Sequence, residues 1–120
     1  MFVICNDPTE YGDVFMVSIS TARENDPQVD KTCLLEPHDY VRVTRTSFVY
    51  YSKARVVKET AIRDGIESGR LAVLEDLNAQ TALRVVNGIG RSDRIAPKLV
   101  KAWEAINRQS DSSRQKGRAQ

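Results

Sequence analysis

Histidine occurs once in the 120 residues, at position 38. It lies in Glu36-Pro37-His38-Asp39-Tyr40, a bend between two strand candidates, where an imidazole can move protons near neutral pH. A loop histidine bonded only to backbone is the competing reading. Asp39 is its neighbour in sequence, but adjacent side chains on a strand point to opposite faces, which makes it a poor partner for the ring. Ser20-Thr21-Ala22-Arg23 offers a second chemistry. Hydroxyls and a guanidinium at a strand end bind phosphate and stabilise charge that develops on its oxygens. The same residues also build ordinary turns. His38, Arg23, Ser20 and Thr21 are therefore the catalytic candidates.

A third constellation runs from Arg42 to Arg55. Arg42, Thr44, Arg45, Thr46, Ser47, Tyr50, Tyr51, Ser52, Lys53 and Arg55 are the densest mixture of basic, hydroxyl and aromatic residues in the chain. Such a surface holds single-stranded RNA, with phosphates on Arg and Lys and bases stacked on Tyr. The RNA-binding candidates are Arg42, Arg45, Ser47, Tyr50, Ser52, Lys53 and Arg55. Strand alternation lets only about half of them share a face, and an amphipathic hairpin with solvent-facing arginines is the alternative.

Other chemistries find no residues. Gly88-Ile89-Gly90-Arg91 lacks the lysine of a phosphate-binding loop, and there is no GxSxG, HExxH or kinase signature. With one histidine and no CxxC, no metal site and no cofactor is expected. Cys5 and Cys33 sit in apolar, strand-like segments and read as buried, reduced thiols. Ala82 to Ser92 looks somewhat like a helix-turn-helix, which would make a DNA-binding regulator, although Pro97 falls early in the would-be recognition helix. A helix face that docks on another chain is a further possibility.

The elements that must position these groups follow from the pattern. Phe2-Val3-Ile4-Cys5 and Val14 to Ser20 read as a hairpin of strands, joined through Asn6-Asp7-Pro8 and Tyr11-Gly12-Asp13. Residues 22–31 read as an exposed loop. Thr32 to Leu35, Asp39 to Val43, Ser47 to Tyr51 and Ala54 to Val57 are further strand candidates. The period then changes. Thr60 caps a short helix with Ile62, Ile66 and Glu67, closed by Gly69, and Arg70 to Leu74 is a last strand. Asp76 or Asn78 starts a helix with Ala82, Val86 and Ile89 on one face, broken by Gly88 and Gly90. A final helix from about Pro97 carries Leu99, Trp103 and Ile106 on one face. The expectation is an α+β fold, a small SH3-like antiparallel β-barrel with C-terminal helices. It forms one domain over residues 1–107, followed by a basic flexible tail over 108–120.

Phe2 to Asn6, followed by Gly12 to Thr21, resembles the central hairpin of the PemK/MazF toxins. Arg45-Thr46-Ser47-Phe48-Val49-Tyr50-Tyr51-Ser52-Lys53-Ala54-Arg55-Val56 is similar to their next strand and its turn toward a helix. The resemblance covers about residues 1–75. It implies an SH3-like barrel, a homodimer, and metal-independent cleavage of single-stranded RNA in which the 2′-hydroxyl is the nucleophile. It also implies neutralisation by a partner antitoxin. Ser20 falls where many members carry a catalytic Thr, and Tyr50 and Ser52 fall where some carry Arg and Asp. The chain starts at what looks like the second family strand, so Arg23 or His38 stands in for an arginine that follows the first.

Bulk properties set the frame. The chain is 41% apolar and 28% charged, enough for one compact domain and too short for separate catalytic and cofactor domains. No apolar run approaches the roughly 20 residues of a membrane span, which points to a cytoplasmic protein with no membrane partner. Net charge is +2, divided unevenly. Residues 1–90 carry 10 basic and 13 acidic side chains, whereas residues 91–120 carry 8 and 3. A basic end attracts phosphate through charge alone, or it is a solvated helix and tail.

Overall fold

The computed structural model describes residues 1–67 and 71–118, with the side chains of 64, 66, 67, 75 and 109–118 outside the description. Its centre is β2 (Asp13–Thr21), which is apolar on both faces from Val14 to Val17 and is covered on both. β1 (Phe2–Ile4) pairs with it on one side as the expected hairpin, Phe2 opposite Ser18. β4 (Ser47–Lys58) pairs on the other side, from Asp13 opposite Lys58 to Thr21 opposite Ser47. Short strands β3 (Leu34–Leu35) and β5 (Leu71–Val73) complete the order β3-β4-β2-β1-β5. The result is an α+β molecule around a curled five-stranded half-barrel sheet.

Three expectations need correction. The sheet is not wholly antiparallel, because β5 lies parallel to β1. Ser47–Tyr51 and Ala54–Val57 are one strand, not two. The register passes from Ser18–Tyr50 to Met16–Arg55, so Tyr51 to Ala54 stand opposite Val17 alone. Such a bulge bends a strand without ending it, and its Ser52 and Lys53 are the exposed polar pair that read as a break. Asp39 to Val43 is not a strand. Turns occupy Pro37 to Asp39 and Val41–Arg42, with Tyr40 and Val43 buried and Val41 fully outward.

The two sheet faces carry different covers. On one, Val3, Cys5, Phe15, Val17, Val49, Tyr51 and Ala72 pack under α2 (Ala79–Ile89) and α3 (Pro97–Arg118). Phe15 meets Trp103 at 5.3 Å between ring centroids. On the other, Ile4, Val14 and Met16 pack under Ile62 of α1 (Glu59–Glu67). Burying a side chain of this size removes roughly 1.5–3 kcal/mol of unfavourable hydration, so apolar residues on both faces fix the central strands between two layers. A single 3-10 turn (Leu74–Asp76) leads into α2, whose first turn is capped by Asn78 accepting from the Thr81 N–H at 2.8 Å. Gly88 does not break α2, and Gly90 is its C-cap. The backbone of α3 is helical through Arg118, into the segment read as a tail. Gly69 and Arg70 lie outside the described residues.

The polar segment 22–31 is not simply an exposed loop. Val29 and Asp30 are buried. The Asp30 carboxylate accepts from the Ser92 hydroxyl at 2.6 Å and from the N–H and hydroxyl of Thr32. Arg94 donates to the Pro27 carbonyl at 2.8 Å, and the Tyr50 hydroxyl donates to Gln28 at 2.9 Å. The segment is thus a strap, tied at once to the sheet and to the connection between α2 and α3.

Candidate functional site

Where β2 leaves the sheet, the Ala22 N–H still donates to the Thr46 carbonyl at 2.9 Å, which holds the two outgoing chains together. Arg23 and Glu24 on one chain and Arg45 and Thr46 on the other then enclose a cleft of about 570 Å³, with Thr21 and Ala22 as its remaining lining. Two arginines, a glutamate and two threonines line it. Such a set binds a phosphodiester and accepts a proton. The Thr46 hydroxyl donates to the Glu36 carboxylate at 2.7 Å, which fastens the cleft wall to the turn that bears His38.

His38 itself does not line the cleft. Its side chain is 81% exposed, and its Nε2 stands 3.6 Å from Asp39 Oδ1. The sequence expectation for that pair is corrected here: residues 37–39 turn rather than extend, which brings the neighbouring side chains together. Asp39 also accepts from the Glu36 N–H at 2.8 Å and meets Arg84 Nη1 at 3.3 Å, while Arg84 Nη2 donates to the Leu34 carbonyl. The Glu36 N–H contributes most to holding the Asp39 carboxyl below the usual carboxylate range. Arg84 and His38 add to it against a smaller desolvation effect.

The other candidates divide by face. Ser20, one residue before Thr21, points to the opposite side of the strand and stands opposite Phe48. Tyr50 and Arg55 lie on that same side, in register with Ser18 and Met16, and Lys53 reaches back over the Tyr50 ring at 4.8 Å. Ser52 is exposed at the bulge and Arg42 on the loop after Val41. Ser47 is not available to RNA in this structure. It is buried on the helix-covered face, and its hydroxyl donates to the Arg45 carbonyl at 2.8 Å.

Comparison with known proteins identifies no matching family model, no matching curated protein and no matching solved structure.

Sequence reasoning placed Thr46 in the Arg42 to Arg55 constellation but missed Glu24 beside it in the cleft, and Phe2 beneath Arg55 at 4.5 Å. The pairing of β2 with β4 juxtaposes Glu24 and Thr46, and no local spacing signals it. Phe2 could have been found, since it alternates with the buried Val3 in a strand. The helical segment departs from a helix-turn-helix. Residues 90–96 separate α2 from α3, more than the motif's turn of roughly three to four residues, and Ser92 and Ile95 within them are buried. Between α2 and α3 an apolar groove of about 830 Å³ includes Leu77, Leu83, Val86, Trp103 and Ile106.

Proposed function

We propose that the protein is an SH3-like toxin-type endoribonuclease that cuts single-stranded RNA without a metal, as the PemK/MazF resemblance implies. The observation that carries the reading is the meeting of Arg23 and Arg45 with Thr21, Glu24 and Thr46 in one cleft. The RNA supplies its own nucleophile. The 2′-oxygen attacks the adjacent phosphorus, the P–O2′ bond forms and the P–O5′ bond breaks, leaving a 2′,3′-cyclic phosphate and a 5′-hydroxyl. Glu24 takes the 2′-hydroxyl proton. Water in the open cleft returns a proton to the departing 5′-oxygen, because His38 does not line it. Arg23 and Arg45 stabilise the charge on the phosphoryl oxygens, where losing one donor typically costs about 10²–10³ in rate. Homodimerisation and an antitoxin partner belong to the same proposal.

Expression in growing cells tests it. Wild type is expected to arrest growth and fragment cellular RNA, and Arg45→Ala to relieve both while keeping a wild-type unfolding midpoint. Harmless expression of a folded wild-type protein, with intact RNA, would refute the reading.

A further inference from the structure

The α1-bearing sheet face carries a row that the cleft does not use, two half-buried rings about a buried serine. Tyr50, Ser18 and Phe2 lie in one cross-strand row over β4, β2 and β1. Adjacent strands are about 4.8 Å apart, so the two rings stand roughly 9.6 Å from each other along the row, one on each side of a serine. Each ring carries a cation. Arg55 stacks over Phe2 at 4.5 Å and Lys53 over Tyr50 at 4.8 Å, and both cations are exposed to solvent. Phe48, two residues earlier on the same face of β4, tilts against Tyr50 at 4.9 Å between centroids. α1 covers the neighbouring Ile4, Val14 and Met16, and the Phe2 end of the row packs against that cluster.

We propose that this row is a stacking platform for the bases of a single strand, separate from the cleft and indifferent to the sugar. The proposal rests on the single-stranded RNA reading and adds how the strand is held. A guanidinium stacked on a ring presents a second flat face outward, on which a base can stack without displacing it. The ammonium of Lys53, over the Tyr50 ring at 4.8 Å, offers a phosphate a point charge and swings aside on its flexible stem to give that ring face to a base. Ring faces and cations thus alternate as bases and phosphates do along an extended strand. No 2′-hydroxyl is needed for stacking, so the platform takes DNA and RNA strands alike, and the sugar is read only where the 2′-oxygen reacts. Duplexes, whose bases are already stacked, are excluded.

The experiment is fluorescence anisotropy on the full chain with three labelled probes. These are a DNA strand of mixed sequence, an abasic-spacer strand with the same phosphates, and the DNA strand annealed to its complement. A stacked base is worth roughly 5- to 150-fold in affinity. Wild type is therefore expected to prefer the base-bearing strand over both others, and a 2′-O-methyl RNA strand to bind about equally well. Arg55→Lys, which keeps the charge and loses the plane, and Tyr50→Ala are each expected to lower that preference at least several-fold without changing abasic binding. Tyr50→Phe should keep it. Equal affinity of wild type for base-bearing and abasic strands, or an unchanged preference in both variants, would overturn the platform. RNA cutting is read in parallel. A protein that prefers bases but never cuts refutes the catalytic reading alone, and one that cuts without preferring bases refutes the platform alone.

Discussion

Gly88 and Gly90 look alike in sequence and have opposite roles in the structure. A Cβ on Gly88 would stand 1.8 Å from the Tyr51 hydroxyl, which is buried and donates to the Val85 carbonyl at 2.7 Å. Tyr51 has no room to yield, being fully enclosed under α2. Gly90 has nothing within 4 Å of the same position and an ordinary right-handed backbone. Alanine at 90 is therefore expected to stabilise by about 0.4–1 kcal/mol through the unfolded chain. Alanine at 88 should destabilise by about 1–3 kcal/mol despite its better helix propensity. Urea midpoints of the two variants check the pair, and a stabilised Gly88→Ala would contradict the close approach. Both glycines read as helix breakers because a sequence displays conformational freedom and conceals a partner 37 residues away. The start of α2 could be narrowed to Asp76 or Asn78 because a cap depends only on residues within one turn, and Asn78 is the cap. His38 shows the same limit. Its nearness to Asp39 hung on a turn that the alternating residues 39–43 disguised as a strand.

At the scale of elements, the strap over 22–33 decides where Arg23 sits. Asp30 anchors it. Burial pushes the Asp30 carboxyl up, but the Ser92 and Thr32 hydrogen bonds and the Arg94 charge together outweigh that and leave it below its usual value. A depressed folded-state pKa contributes stability that is complete above the unfolded value of about 3.9 and is lost as pH falls through the folded one. Wild type should therefore exceed Asp30→Asn in stability by a constant margin from about pH 5 to 8, and the margin should shrink in stronger acid. Urea titrations across that range test it, and a margin that widens in acid would contradict the sign. The same variant should be cut sooner by protease between residues 22 and 33. None of this was visible in the segment's composition, because its polar residues and Pro27 look the same tethered as free. β4, by contrast, was read residue by residue and misjudged only at its bulge, where pairing with Val17 is decided by β2 and not by β4 itself.

Across the whole molecule, apolar pattern was enough to identify a strand-rich first half and the helices near Asn78 and Pro97, but not the division of the core between two sheet faces. The parallel placement of β5 beside β1 depends on a crossover through β2, β4 and α1, which no local period encodes. The candidate site divided for the same reason. Thr21, Arg23 and Arg45 meet only because two strand ends leave the sheet side by side; strand alternation sends Ser20 to the other face, and Ser47, opposite Thr21, is buried with its hydroxyl on the Arg45 carbonyl. Both cysteines belong to the core between sheet and helices, with burial pushing Cys5 up to about 12 and raising Cys33 as well. Neither thiol should react with a thiol-specific disulfide reagent at mildly alkaline pH until the protein unfolds. Rapid labelling of the native chain would contradict that packing. The proposed reaction is cleavage of RNA at the cleft where β2 and β4 end, through the substrate's own 2′-oxygen. Its most direct test is end analysis of a single-stranded RNA treated with purified protein in excess chelator, beside a 2′-O-methyl strand and the Arg23→Ala variant. The account predicts fragments ending in 2′,3′-cyclic phosphate and 5′-hydroxyl from wild type, no cleavage of the methylated strand, and a loss of about 10²–10³ in rate for Arg23→Ala. An uncut RNA, or equal cleavage of the methylated strand, would contradict it.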